Sequence, residues 1–92
     1  MMDLQWTERA VSDLARLYEF LASANKPAAE QTVRTLSRAP TALLTNPRVG
    51  EQLFQFEPRE VRRILVARYE MRYEIANETI YVLRLWHTRE ER

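Results

Sequence analysis

The sequence predicts an α+β fold in which a helical hairpin packs on a small antiparallel sheet, in the order β-α-α-β-β-β. Three consecutive strand patterns occupy the second half of the chain, between residues 61 and 86. Two helical patterns, joined by a short connection that contains a proline, occupy the first half. A three-stranded meander with an apolar face needs a cover, and the helical hairpin supplies it.

The three strand patterns differ in the spacing of their apolar residues. Val61–Ala67 is a short run rich in β-branched residues, and Thr79–Trp86 is apolar at nearly every position, as in a strand covered on both faces. Tyr69–Ile75 alternates, which is typical of a strand packed on one face. Its apolar face carries Tyr69, Met71, Tyr73 and Ile75, and its other face carries Glu70, Arg72 and Glu74, which we expect to form a solvated ladder.

The register between the last two strands is left open by the sequence. Asn77-Glu78 is a weaker turn signal than Asn-Gly. One register places Ile80, Val82, Arg84 and Trp86 beside the tyrosine face, and a slip by one residue places Tyr81, Leu83, Leu85 and His87 there. We favour the second register, because it buries two leucines and directs Arg84 outward.

The first half of the chain reads as a short strand followed by two helices. Met2–Trp6 is the strand, Thr7 is the expected N-cap, and the first helix runs to about Ser23. The second helix covers Ala28–Leu44, and Pro40 inside it predicts a kink or two abutting pieces. The apolar stripe of the first helix, including two aromatic residues that we expect in the core, consists of Ala10, Val11, Leu14, Leu17, Tyr18, Phe20 and Leu21.

Composition excludes several classes of protein. The chain has 92 residues, of which 46% are hydrophobic and 29% charged, so we expect one globular domain spanning residues 1–92. There is no cysteine, which excludes a disulfide framework and a thiol nucleophile. The sequence contains no membrane-span pattern, signal peptide, phosphate loop or metal-ligand cluster, so we expect a cytoplasmic protein without a cofactor or a metal.

The basic residues are almost all arginine, since only Lys26 among the 14 is a lysine. Residues 59–92 hold eight arginines against six glutamates, whereas residues 1–58 carry a net charge of −1. Arginine suits bidentate recognition of carboxylates and phosphates. A high-GC genome is the better explanation of the total count, but it does not explain the position of the C-terminal arginines.

The order of these patterns resembles the ParE/RelE toxin family of bacterial type II toxin–antitoxin systems, and is closer to ParE. Each segment is weak alone, but together they cover almost the whole chain. The segments are Trp6–Ala10 with Asp13-Leu14, Pro27-Ala28-Ala29, Asn46-Pro47 with Gly50, Arg62–Leu65, Tyr69 with Tyr73-Glu74-Ile75, and Ile80–Arg89.

The resemblance implies two possible activities. RelE-like members are ribosome-dependent endoribonucleases that cut mRNA, and Arg63, Glu70, His87 and Arg89 would be the catalytic candidates here. However, Glu70 stands where such enzymes carry an arginine, and no tyrosine follows Arg89. Both departures favour the ParE-like activity, which is inhibition of DNA gyrase by binding. One alternative still allows cleavage, in which Glu70 acts as the general base and His87 as the general acid.

The resemblance also implies the partners and the contact residues. The partners are a cognate antitoxin and DNA gyrase, with the ribosome and mRNA as the alternative, and no membrane. The antitoxin would add a strand or a helix to apolar grooves on the sheet edge and the helical hairpin. A second alternative is a non-toxic member that binds only its antitoxin. The residues that we expect to bind the target are Arg63, Arg84, Trp86, His87 and Arg89.

Overall fold

The computed structural model describes residues 1–90 and places two helices on a five-stranded sheet. No helix in that range is long and apolar enough to cross a membrane. The elements in chain order are β1 (Asp3–Trp6), α1 (Glu8–Ala22), α2 (Lys26–Arg38), a 3-10 helix (Ala39–Leu44), β2 (Glu51–Gln52), a second 3-10 helix (Phe54–Phe56), β3 (Glu60–Val66), β4 (Tyr69–Ala76) and β5 (Thr79–His87).

The strands are ordered β1-β5-β4-β3-β2 across the sheet. The predicted α+β architecture and the meander of β3, β4 and β5 are confirmed. Two features differ from the prediction: β1 pairs with β5 in parallel, and the two-residue strand β2 extends the sheet next to β3. A strand of two residues is too short to show a period of two, so no sequence pattern predicts it.

Helix α1 begins at the predicted cap. The Thr7 hydroxyl oxygen accepts a hydrogen bond from the Ala10 amide at 3.2 Å, and the hydroxyl donates to the Val82 carbonyl at 3.0 Å. Ala10 and Leu17 are buried as expected, but Phe20 is 74% exposed, so its assignment to the core is wrong. Asp13 is buried instead, because it lies about 40° around the helix from Leu17 on the inward side.

The second helical segment is divided at its proline, as predicted. Helix α2 starts with the Asn25 side chain accepting from the Ala28 amide at 3.0 Å, and ends at Arg38. A 3-10 helix that contains the buried Pro40 continues to Leu44. Beyond it, the loop that leads to β3 is only partly packed against the rest of the fold, since Phe56 is half-buried but Phe54 is 65% exposed.

The register of β4 with β5 combines the two alternatives, because a β-bulge separates them. Before the bulge, Tyr73 pairs with Val82; beyond it, Arg72 pairs with Arg84 and Met71 with Leu85. The register that we favoured is therefore correct only in the half next to His87. Leu83 is the extra residue, and a bulge of this kind leaves one residue unpaired and shifts the alternation by one. The apolar face is consequently continuous although the apolar residues of β5 do not alternate.

The core lies between the helices and the face of the sheet that carries Met71 and Tyr73, both fully buried. The main cluster of buried side chains is Ala10, Leu17, Leu36, Met71, Val82 and Leu85. At the other end of this face, the Tyr73 hydroxyl donates to the Pro47 carbonyl at 2.7 Å and accepts from the Gly50 amide at 3.1 Å. Burial raises the pKa of Tyr73, which keeps the hydroxyl protonated for this donation.

The turn between β4 and β5 offers a stabilising substitution. Asn77 and Glu78 have φ of 52° and 56°, the left-handed pattern of a type I′ turn, which favours Asn-Gly. We expect Glu78→Gly to raise the free energy of unfolding by about 0.5–1 kcal/mol, since glycine removes the Cβ penalty. Chemical denaturation measures the change. The control is Glu78→Ala, which removes the same charge but keeps Cβ, and an equal gain in both variants would contradict this explanation.

Candidate functional site

The sheet face opposite the helices carries the polar side chains of β3, β4 and β5. We call it the open face; its residues are Arg63, Glu70, Arg72, Glu74, Arg84 and Trp86. Glu70 pairs with Trp86 across the strands, and Arg72 pairs with both Arg63 and Arg84, so these side chains share one face. Four of the sequence-predicted residues therefore lie here: Arg63, Glu70, Arg84 and Trp86.

Glu70 is the centre of an ion-pair network on the open face. Its side chain is 2% exposed, and Arg63 donates to it from Nη1 at 3.1 Å while donating from Nε to Glu51 at 2.7 Å. Arg72 Nη2 lies 3.8 Å from the other oxygen of Glu70. The hydrogen bonds to Glu51 and Glu70 raise the pKa of Arg63. The expectation of a solvated ladder is wrong for Glu70, because both neighbouring arginines and the paired tryptophan cover it.

A second carboxylate on the same strand is held in the same way. Arg59 donates to Glu74 with both Nε, at 3.1 Å, and Nη2, at 2.7 Å. These hydrogen bonds raise the pKa of Arg59. This bidentate geometry is the one arginine forms with carboxylates and phosphates. Both Arg59 and Arg63 are thus bound to carboxylates of this chain.

Guanidinium groups and aromatic rings alternate across the open face. The Arg72 guanidinium carbon lies 5.1 Å from the centre of the Phe56 ring and 4.8 Å from that of Trp86. Arg84 lies on Trp86 as well, at 5.6 Å. Cation–π contacts of this kind hold the side chains in place. Trp86 is only 3% exposed, so it is a covered residue of the open face and not an exposed anchor.

Arg84 is bound to helix α1. Its Nε donates to Asp13 Oδ2 at 2.8 Å, and the same oxygen accepts from the Leu85 amide at 2.9 Å. Burial acts to raise the pKa of Asp13, but the hydrogen bonds from Arg84 and Leu85 and the charges of Arg84 and Arg16 outweigh it, so the pKa is lowered. Asp13 thereby provides a hydrogen-bond acceptor for the backbone of β5 at Leu85, beyond the point where β1 ends.

His87 and Arg89 lie elsewhere, on the side of the helices. The His87 ring meets the Tyr69 ring edge-on at 5.2 Å between centres, and His87 Nδ1 accepts from the Arg89 amide at 3.1 Å. Both line a cleft of about 470 Å³ beside α1, which we call the terminal cleft. Its apolar lining is Leu17, Phe20, Leu21 and Tyr69, and its polar lining is Arg16, His87, Arg89 and Glu90.

The structure therefore divides the predicted residues between two places. Glu70 and His87 project to opposite faces of the sheet, so one phosphate cannot contact both, which argues against their pairing as base and acid. Sequence reasoning missed Asp13, Arg16 and Phe56. The position of Asp13 near the apolar stripe of α1 was a usable signal, since a carboxylate facing a core needs a cationic partner.

Comparison with known proteins identifies the family. A sequence model described as "ParE toxin of type II toxin-antitoxin system, parDE" matches residues 4–92. The chain belongs to the ParE toxin family. The resemblance of this ParE-family protein, which the sequence predicts, is thus confirmed.

Solved structures share the fold. The chromosomal ParDE toxin–antitoxin system of P. aeruginosa contains a chain that superimposes with a TM-score of 0.80 at 22% identity, covering 95% of this chain and 96% of that one. The isolated E. coli RelE toxin superimposes with a TM-score of 0.61 at 18% identity, covering 100% of this chain and 87% of that one. No curated protein sequence matches the chain.

Proposed function

We propose that this ParE-family protein is the toxin of a type II toxin–antitoxin pair, that it inhibits DNA gyrase by binding, and that a cognate antitoxin neutralises it. Membership of the ParE family supports the class. Ion pairs on the open face support binding over RNA cleavage. Arg63 is bound to Glu51 and Glu70, and Arg59 is bound to Glu74.

Cleavage of RNA needs cations on the scissile phosphate and groups that transfer protons. A phosphate approaching Arg63 would meet the buried carboxylate of Glu70, and the two negative charges repel. The imidazole of His87 lies on the other side of the sheet and cannot serve as the acid there. The open face is therefore poorly suited to a ribonuclease, and we infer that the protein acts without turnover.

The proposed target contact is the rim of the terminal cleft. Arg89 is exposed and His87 half-exposed, so their cationic or hydrogen-bonding groups reach solvent. Arg63, Arg84 and Trp86, which the sequence also assigned to target binding, are bound within the fold. We infer that these three shape the sheet and that the cleft rim supplies the first contacts with gyrase.

The direct test is a supercoiling assay with purified gyrase. Addition of the protein should lower the rate at which relaxed plasmid becomes supercoiled, and prior mixing with the antitoxin should restore it. Unchanged supercoiling together with cutting of ribosome-bound mRNA would establish the RelE-type activity instead. Unchanged supercoiling, intact mRNA and normal growth on expression without an antitoxin would contradict both toxic activities and leave the non-toxic alternative.

Substitution at the cleft rim tests which residues contact the target. We expect Arg89→Ala, combined with His87→Ala, to abolish growth inhibition while leaving antitoxin binding largely intact. The matched control is Arg38→Ala on the exposed side of α2, which removes the same positive charge far along the chain from the cleft. Growth inhibition is measured by colony counts after induction. Full toxicity of the double variant would show that the side chains at the cleft rim are not needed to bind the target.

A further inference from the structure

The polar part of the terminal cleft is already occupied by an anion of this chain. One oxygen of the Glu90 carboxylate accepts from the His87 backbone amide at 2.6 Å, and the other accepts from Nη1 of Arg16. An amide and a guanidinium that converge on one carboxylate form a carboxylate-binding site. Glu90 shows directly which chemistry this site takes.

The Arg16 guanidinium is fixed independently of Glu90. Its Nη2 donates to the Leu85 carbonyl at 3.2 Å and lies 3.5 Å from Asp13 Oδ1. The site therefore keeps its geometry when Glu90 leaves. Glu90 itself is 31% exposed, and an ion pair reached by solvent contributes little to stability, so a competing carboxylate can displace it at small cost.

The apolar part of the cleft adjoins this carboxylate site. It is lined by Leu17, Leu21 and Tyr69. Phe20 also lines it and is 74% exposed. An exposed aromatic side chain beside an apolar cleft is typical of a protein-binding surface, where aromatic residues are enriched. When Glu90 leaves, the positive charge of Arg16 stays in the lining, and this charge complements the carboxylate of an acidic partner.

We propose that the terminal cleft binds a polypeptide in which a bulky apolar side chain stands beside a carboxylate. The apolar side chain fills the space between Leu17 and Tyr69, and the carboxylate replaces Glu90 on Arg16 and the His87 amide. This inference rests on the proposed function, because the polypeptide is then the antitoxin. Its binding would also cover Arg89 and the His87 ring, so that occupation of the cleft neutralises the toxin by masking its target contacts.

The test is a titration of the full chain, labelled with ¹⁵N, with short amidated peptides. One peptide carries leucine and phenylalanine beside a single glutamate, and its partner has glutamine in place of that glutamate. Amide shifts should change at residues of α1 and at the end of β5, and the glutamate peptide should bind more tightly. Glu90→Ala should raise its affinity roughly fivefold by removing the internal competitor. Glu30→Ala, an exposed change of equal charge, is the control.

Arg16→Gln supplies the second variant. It should abolish the preference for the glutamate peptide, whereas Arg38→Gln should keep it. Equal binding of both peptides, shifts confined to the open face, no effect of Glu90→Ala, or equally tight binding of sodium hexanoate would each overturn the inference. If the peptides behave as expected but gyrase is not inhibited, the proposed function fails alone. If gyrase is inhibited and the peptides do not discriminate, this inference fails alone.

Discussion

Replacing Asp13 by alanine is expected to lower the free energy of unfolding by about 2–4 kcal/mol. The carboxylate is buried and binds both Arg84 and the Leu85 amide, with distances of 2.8 and 2.9 Å. Without the carboxylate, the Arg84 guanidinium and the Leu85 amide lose their hydrogen-bond acceptor in a partly buried site. Removing one partner of a buried ion pair costs several kcal/mol. Urea denaturation followed by circular dichroism measures the change. Asp3→Asn, at an exposed position of β1, should change stability by less than about 0.5 kcal/mol.

The same carboxylate gives stability a pH dependence with a defined sign. The pKa of Asp13 lies below its ordinary value of 3.8 in the folded chain, so the unfolded chain takes up the proton first as the pH falls. Its stabilisation is complete above that ordinary value and is lost as the pH drops through the lowered pKa. The difference in the free energy of unfolding between the natural chain and Asp13→Ala should therefore shrink as the pH falls from neutral to acidic values. Curves that stay equally separated at low pH would contradict the assignment.

Replacing Gly50 by alanine is expected to cost about 2–4 kcal/mol. A Cβ atom at this position would lie 2.6 Å from the Arg63 carbonyl oxygen and 2.6 Å from the Tyr73 hydroxyl. Neither atom is free to move, because Arg63 belongs to β3 and the Tyr73 hydroxyl is bound to Pro47 and to the Gly50 amide. Overpacking against such fixed neighbours forces a backbone shift. The midpoint of urea denaturation reports the loss.

A double-mutant cycle separates the two clashes. Tyr73→Phe alone should destabilise by about 1–3 kcal/mol, since it leaves the Gly50 amide and the Pro47 carbonyl without a partner. Combined with Gly50→Ala, the loss should be smaller than the sum, because the phenyl ring no longer presents an oxygen to the new Cβ. The control is Val49→Ala, an exposed change at the neighbouring residue. Strict additivity would mean that the Tyr73 hydroxyl is not the obstacle.

The fold was predictable where one period dominates a segment. The alternation in β4 and the cap at Thr7 identified elements that the structure contains almost unchanged. The bulge at Leu83 could not be predicted, because an inserted residue leaves every local propensity unchanged and appears only in the pairing with β4. The strand β2 is stabilised by its pairing with β3. A segment of two residues is too short to carry a sequence pattern that predicts this pairing.

The site was less predictable than the fold, and Glu70 shows why. A glutamate on an uncovered sheet face is usually solvated, and its burial depends on Arg63 and Trp86, which come from two other strands. Likewise, the sequence does not reveal that Arg84, which we expected to contact the target, pairs with Asp13, 71 residues away in the chain. Both outcomes depend on long-range contacts that a pattern within one segment does not contain.

The arginines of the open face are paired with carboxylates of this chain, and our proposal that the protein binds its target and does not cut RNA rests on this pairing. The most direct measurement maps the 3′ ends of ribosome-bound mRNA by primer extension after incubation with the purified protein. The account predicts the same ends with and without it. New ends within the ribosomal A site that disappear when Arg63→Ala is used instead would contradict it.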